Sequence, residues 1–273
     1  MLVRLRSQRS VGVACFLASA SGRDSCGAMH QASTRLRITW VYVSVCLAVF
    51  GVTRLELVPS IGRYVHLIVA AVFLLVSIGL TRDDPTHYGV SLGGLLEPPE
   101  GDRPIGPLGL WDLGRALLAA IPSALRELAV AVGVAAIVFP PYAAGYCWWV
   151  EPSRAFSLNL PPHLAEVILA QLVVVALPEE AFFRGYLQTS LDDLRRARVR
   201  VLGTELSFRA WVLQASLFAL LHFAVEPHPA RLAVFFPGLL FGWLRAWRGG
   251  IGAAIAIHAM SNLYSEILVR SWL

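Results

Sequence analysis

The feature that most constrains this chain is a series of apolar runs, each long enough to approach the width of a lipid bilayer. A membrane-spanning helix needs about 20 mainly apolar residues, within a range of about 17 to 25. Seven runs fit this range once helix tilt and frayed ends are allowed. They cover residues 38–58, 65–80, 124–148, 164–185, 208–225, 232–247 and 251–269. The sequence therefore predicts an all-α polytopic membrane protein with about seven transmembrane helices.

Composition supports a membrane location. Hydrophobic residues make up 56% of the chain and charged residues 15%, which is more apolar material than one soluble core usually buries. The formal net charge is +5, but the arginines lie mainly at the ends of the apolar runs, and the usual nucleic-acid-binding motifs are not present. We therefore expect a lipid bilayer as surroundings and no nucleic-acid partner.

Arginine residues also orient the predicted helices. They crowd the connection after the fourth run and the end of the sixth, at Arg195, Arg196, Arg198, Arg200, Arg245 and Arg248. Because basic residues favour cytoplasmic connections, the N-terminus is predicted inside and the C-terminus outside. All 23 basic residues are arginine, a usage that suggests a bacterial source and hence the bacterial inner membrane.

The regions outside the predicted spans suggest a three-part organisation. Residues 1–22 resemble a signal peptide, but cleavage there would carry Arg35 and Arg37 across the membrane, so we expect no cleavage. The true start, Met1 or Met29, stays open. Residues 81–123 are predicted to form a cytoplasmic loop with an interfacial helix at 108–118. The predicted divisions are an N-terminal extension (1–37), N-terminal membrane helices with the loop (38–161), and a C-terminal membrane core (162–273), which contains the last four helices.

Two glutamates and an arginine interrupt the fourth apolar run. An ionisable side chain at that depth is costly, so it is a functional candidate by default. Glu180 and Arg184 are four residues apart and share a helix face, whereas Glu179 lies about 100° around the axis. Arg184 can therefore neutralise Glu180 and leave Glu179 as a general base whose pKa is raised by a dry site. The alternative is a buried ion-pair network that only holds the helices together.

Histidines and an asparagine interrupt two later runs. His222 lies in the fifth run, one turn after Phe218, and His258 and Asn262 lie four residues apart in the seventh. In a dry site His258 and Asn262 can donate hydrogen bonds to a developing oxyanion. Each of these residues alone is equally compatible with a structural contact between helices. Hydropathy places His222 near the outer end of its run and Glu179 in the cytoplasmic half of its own.

Other patterns do not predict a site. The G-x-S-x-G pattern at residues 89–93 lacks the strand-turn-helix context of a nucleophile elbow. The four cysteines show no C-x-x-C spacing. We expect neither a cofactor nor a bound metal, although a zinc ion held by glutamate and histidine ligands is an open alternative.

Three motifs on separate apolar helices resemble, in this order, the CAAX protease and bacteriocin-processing family of intramembrane glutamate endopeptidases. They are EExxxR at Glu179, Glu180 and Arg184, FxxxH at Phe218 and His222, and HxxxN at His258 and Asn262. The resemblance covers residue 162 to the C-terminus.

The resemblance implies that Glu179 and His222 activate a water molecule, and that His258 and Asn262 form the oxyanion hole. It gives Glu180 and Arg184 a supporting role. The expected partner is a membrane-anchored protein or peptide, cleaved near its C-terminus. A non-catalytic immunity factor or scaffold on the same fold remains the alternative.

Overall fold

The computed structural model describes residues 20–92, 110–153, 155–195 and 197–272. Side chains are described from residue 31, and those of residues 110–113 are outside the description. The signal-peptide-like segment therefore lies almost wholly outside the described residues. The described chain falls into two compact units that divide between Ser44 and Val45. The predicted three-part division stays a prediction.

Most of the described chain is helical. The first helices are α1 (Ala20–Arg54), α2 (Pro59–Gly62), α3 (Val65–Thr81) and α4 (Leu110–Val150). A continuous helix at residues 164–193, here the glutamate helix, consists of α5 (Leu164–Ala170), a π-helical segment π1 (Gln171–Ala176), α6 (Leu177–Glu180), π2 (Ala181–Gln188) and α7 (Thr189–Asp193). The chain ends with α8 (Phe208–Val225), α9 (Phe235–Arg248) and α10 (Gly252–Trp272).

Three of the described helices are long and apolar enough to cross a membrane: Gln31–Leu57, Gly114–Val150 and Phe208–Val225. Val65–Thr81 is apolar but shorter. These helices support the predicted location as an integral membrane protein. The count of seven spans stays a prediction.

The predicted loop at 81–123 is wrong in its second half. From Leu110 the chain is helical, and the segment expected to form a separate interfacial helix continues into the third span as α4. Leucine and alanine at residues 116–120 favour a helix strongly enough to carry it past Pro122. Residues 93–109 lie outside the described part of the chain.

One pair of β-strands departs from the predicted all-α architecture. Strands β1 (Val199–Val201) and β2 (Thr204–Leu206) pair antiparallel in the connection between the glutamate helix and α8. Alternating valine and arginine at residues 198–201, followed by Gly203, suit a short hairpin better than a helix.

The core surrounds the second half of the glutamate helix. Every residue from Glu180 to Leu191 is buried. Phe73 of α3 packs against Phe182 and Phe183, with ring centroids 5.5 and 5.9 Å apart, and Phe183 packs edge-on against Phe218 of α8 at 4.9 Å. Aromatic pairs in these orientations stabilise packing beyond the area they bury. They fix α3 and α8 against the helix that carries both glutamates.

Candidate active site

The two glutamates lie in α6, a four-residue α-helical segment between two π-helical segments. Pro178 explains the first of these segments, because its ring crowds the carbonyl of Val174 and it has no N–H to donate. A wider turn relieves that conflict. We have no physical account of the second segment. π-helical turns are frequent at functional sites. The two π-helical segments flank the four residues that carry both glutamates.

Glu180 is fully buried and paired on two sides. Its Oε1 atom accepts a hydrogen bond of 2.8 Å from Arg184 Nη1 and another of 2.8 Å from His258 Nδ1. Arg184 is also fully buried, and its guanidinium lies 4.2 Å from the ring centroid of Phe218. A buried charge needs such partners because desolvation is otherwise expensive. The contact between Glu180 and Arg184 is the one their spacing predicts.

Glu179 has different surroundings. Its Oε2 atom is 3.9 Å from His222 Nε2 and 3.9 Å from His258 Nε2, beyond direct hydrogen-bonding range. This oxygen is buried and accepts no hydrogen bond from the described residues. The Glu179 side chain is 16% exposed, whereas that of Glu180 is 0% exposed. Glu179 therefore faces two imidazoles without being neutralised by an arginine.

His222 has a defined orientation. Its Nδ1 atom lies 2.9 Å from the carbonyl oxygen of Phe218, which can only accept, so Nδ1 carries the proton and donates it. In the neutral ring Nε2 is then a proton acceptor, and this is the atom nearest Glu179. The Phe218 ring packs edge-on against the imidazole, with centroids 4.4 Å apart. Phe218 thus contacts both His222 and Arg184, which gives the FxxxH spacing a structural reason.

The structure brings Glu179 and His222 together although hydropathy places them at different depths. The fourth helix does not end near Gly185, where the apolar run stops, but continues to Asp193. Glu179 is therefore 14 residues from the predicted cytoplasmic end of its helix, and His222 is 14 residues from Phe208, the first residue of α8. The depth of each residue in a membrane stays a prediction.

His258 and Asn262 lie one turn apart on α10, as their spacing predicts. The His258 ring stacks on Phe241, with centroids 4.9 Å apart and planes at 19°. Its Nδ1 donates to Glu180, so its Nε2 is directed to the Glu179 side. Asn262 Nδ2 donates a 2.9 Å hydrogen bond to Gln171 Oε1 in π1. This leaves the second N–H of the Asn262 amide for another acceptor.

Gln171 is a site residue that the sequence interpretation missed. It is a polar residue in an apolar run, about two helical turns before Glu179. An uncharged amide in an apolar run is a weaker sign of a site than a glutamate. Inside a membrane it nevertheless needs a hydrogen-bonding partner on another helix.

Two further missed residues, Gln188 and Gln214, bind the backbone of α9 together with the predicted Arg184. Arg184 Nη2 and Gln214 Nε2 donate to the Gly238 carbonyl at 3.4 and 3.1 Å, and Gln188 Nε2 donates to the Gly242 carbonyl at 2.9 Å. A Cβ atom on Gly242 would lie 2.4 Å from Gln214 Nε2. The Gly-x-x-x-Gly spacing therefore allows the close approach these bonds require.

A polar cavity of about 230 Å³ lies at the predicted cytoplasmic end of the glutamate helix. Gln188, Thr189, Asp192 and Arg245 line it, but Glu179 does not. It begins two turns past Glu180, about 12 Å along the helix. The polar chamber expected around Glu179 stays a prediction.

The G-x-S-x-G pattern has a structural role at its first glycine. Gly89 has φ of +63°, and a Cβ there would lie 2.6 Å from Arg245 Cζ and 2.7 Å from the Gly249 carbonyl oxygen. Val90 is buried, and a Cβ on Gly185 would be 2.6 Å from its side chain. The carbonyl of Gly89 accepts a hydrogen bond from Ile251 N. Gly93 lies outside the described residues.

These features define a class: a helical membrane protein whose buried polar centre combines two glutamates and two histidines from the glutamate helix, α8 and α10. Residues 161–264 match the family model of the Rce1-like type II CAAX prenyl endopeptidases, which confirms the predicted resemblance to the CAAX protease family. All six predicted site residues lie within the matched residues. That family is a protease family. No curated protein and no solved structure matches the chain.

Proposed function

We propose that this chain is an intramembrane endopeptidase of the glutamate type, in which Glu179 and His222 activate water. The supporting observation is the position of Glu179 Oε2, 3.9 Å from Nε2 of His222 and accepting no hydrogen bond from the described residues. A water oxygen about 2.8 Å from both atoms would see them about 90° apart. That angle is close to the one between the two O–H bonds of water, so one molecule can donate to both acceptors.

The reaction then follows from these acceptors. Glu179 and His222 withdraw a proton as the water oxygen forms a bond to the carbonyl carbon of the scissile peptide. The carbonyl oxygen gains the negative charge. The proton held by the base then passes to the peptide nitrogen, the oxyanion re-forms the carbonyl bond and the C–N bond breaks, so the products are a carboxylic acid and an amine, and the acid passes its proton to the amine or to water.

His258 and Asn262 stabilise the oxyanion in this proposal. The free N–H of Asn262 donates directly. His258 donates from Nε2 when its ring is protonated, and the Glu180 carboxylate fixes the orientation of the ring by accepting a hydrogen bond from Nδ1. Arg184 holds Glu180 in place. Donors fixed before the reaction stabilise developing charge without reorganising.

The proposed substrate is a membrane-anchored protein or peptide cleaved near its C-terminus, and the proposed location is a bacterial inner membrane. The test compares the C-termini of membrane proteins by mass spectrometry in cells that lack the gene and in cells that carry it. Complementation uses the wild type, Glu179→Gln, or Glu166→Gln as a matched control. Glu166 lies on the same helix and its side chain is 83% exposed.

We expect the wild type and the Glu166→Gln variant to restore the same shortened C-termini and Glu179→Gln to restore none at equal protein levels. Restoration by Glu179→Gln would overturn the proposal. A biological effect that survives both Glu179→Ala and His222→Ala would favour a non-catalytic immunity factor or scaffold. Loss of cleavage on exhaustive chelation, restored by added zinc, would favour the metal-dependent alternative.

A further inference from the structure

The turn of the hairpin between β1 and β2 has an unusual residue at its tip. Leu202 has φ of +46° and Gly203 has φ of +81°. Turns with two positive φ values suit asparagine followed by glycine, because a larger side chain crowds its own backbone in this region. Leucine is therefore a poor choice for the turn itself.

Packing within the protein does not compensate for this choice. Leu202 is 82% exposed, among the highest values for a large apolar side chain in the described chain. Its neighbours in the hairpin are better placed, since Thr204 and Leu206 are buried. A strained and exposed leucine points to an interaction outside the chain.

The position of the hairpin indicates what that interaction is. Trp243 Nε1 of α9 donates a 3.2 Å hydrogen bond to the carbonyl of Val201. Helix α9 runs antiparallel to α8, with Trp211 Nε1 bonded to the Leu239 carbonyl at 2.7 Å. Trp243 lies four residues after Leu239, and Ser207 lies four residues before Trp211. Because the helices are antiparallel, Trp243 is level with Ser207, the N-cap of α8. Helix α8 is one of the candidate spans, so the tip lies where that span enters the membrane.

The surroundings of the tip have the composition of a membrane interface. Phe208 and Trp247 are 51% and 45% exposed. Residues 192–209 contain five arginines and three acidic residues, and two of those arginines pair with carboxylates of the same segment. Aromatic side chains concentrate at the boundary between lipid and water, and arginines there attract anionic headgroups.

We propose that the hairpin is a lipid-contact element and that Leu202 inserts into the headgroup region of an anionic bilayer. The nearby arginines contact the lipid phosphates, and Trp243 fixes the depth of the tip through the Val201 carbonyl. The hairpin then sets the depth of the cytoplasmic end of α8. This inference does not depend on proteolysis, so it can fail or hold independently of the proposed function.

The first experiment measures the depth of the tip in the full chain, with its four cysteines replaced by serine. One cysteine is introduced at position 202 and labelled with an environment-sensitive fluorophore, and the protein is reconstituted in vesicles of phosphatidylcholine and phosphatidylglycerol. Quenching by acyl-brominated lipid and by aqueous iodide is compared with two controls. Asp83, whose side chain is 94% exposed next to the end of α3, reports water, and Leu75 within α3, 71% exposed, reports lipid.

We expect the label at 202 to be quenched by brominated lipid at least twofold more than the label at 83, and to be at least threefold less accessible to iodide. Quenching at 202 equal to that at 83 would overturn the proposal. A tip that a soluble protein covers in cells would give this same result, because that protein is absent from the vesicles.

The second experiment keeps the fold and removes the lipid contact. Leu202→Asn suits the turn better, so we expect unchanged or higher thermal stability in detergent. A fluorophore at Val199, 41% exposed in β1, then reports the hairpin depth in the same vesicles. Its quenching by brominated lipid should fall at least twofold in the Leu202→Asn variant. Unchanged quenching at 199 would show that the leucine does not hold the hairpin in the membrane and would contradict the proposal.

Discussion

The regions around Glu180 and Glu179 are adjacent in sequence and opposite in physical character. The Glu180 region is closed, because an arginine and a histidine bind one oxygen and neither Glu180 nor Arg184 is exposed. The Glu179 region is partly open, and its carboxylate faces two imidazoles at 3.9 Å. Burial with full pairing suits a structural role, whereas an unpaired acceptor suits proton transfer. A shift of one residue along a helix is enough to separate these roles.

The largest expected effect is a loss of activity in the partly open Glu179 region. Glu179→Gln removes the proton acceptor and keeps the shape, so kcat should fall by about 10²- to 10⁴-fold, the range for loss of a general base. The melting temperature should change little because the side chain is partly exposed and its Oε2 atom accepts no hydrogen bond from the described residues. The contrast between the Glu179 and Glu180 regions is wrong if the Glu179→Gln variant retains near wild-type turnover or is unfolded.

The second effect is on stability at the closed side. Arg184→Met leaves Glu180 buried without its cation, and removing one partner of a buried pair costs about 3–5 kcal/mol. Thermal unfolding in a fixed detergent measures the loss. Arg270→Met is the matched control, since Arg270 and Glu266 have the same i,i+4 spacing but are 37% and 32% exposed. The control should cost less than about 1 kcal/mol, and equal losses would contradict the contrast.

A third effect tests the close approach of α9 to the closed side. Gly242→Ala places a Cβ 2.4 Å from Gln214 Nε2 and 2.8 Å from Gln188 Oε1, so a loss of about 1–3 kcal/mol is expected from overpacking. Gly133→Ala on α4 meets nothing within 4 Å, and there alanine should be neutral or stabilising. If both variants melt at the same temperature, the Gly238–Gly242 packing does not matter.

The smallest effect concerns Gln171 on the open side. Gln171→Leu removes the acceptor that orients the Asn262 amide, so kcat should fall about tenfold, about 1.4 kcal/mol of transition-state stabilisation, with KM nearly unchanged. Gln171→Glu keeps an acceptor and should restore most of kcat. A change in KM alone, or no recovery with glutamate, would indicate a packing role instead.

Local spacing predicted the relations within single helices. The shared face of Glu180 and Arg184 and that of His258 and Asn262 follow from 3.6 residues per turn, and both are present in the structure. The family resemblance is confirmed by the match at residues 161–264. The catalytic roles of the six residues stay predictions, because no contact in the structure measures turnover.

Relations between helices could not be predicted from the sequence. The hydrogen bonds from Asn262 to Gln171 and from Gln188 to Gly242 join residues more than 50 positions apart. The predicted end of the fourth helix was wrong for a related reason, since it was placed where the apolar run stops. Polar residues continue that helix because neighbouring protein, not lipid, surrounds them.

The turn at Gly89 and Val90 has a consequence for how much of the chain must be expressed together. It precedes the family-matched residues by about 70 positions, yet Val90 packs at Gly185 and the Gly89 carbonyl accepts the Ile251 amide. A fragment that begins at residue 161 would leave that amide without its partner and the surface at Gly185 uncovered. The matched residues therefore belong to a larger compact unit, residues 45–273, and we expect a minimal version of this protein to require the turn.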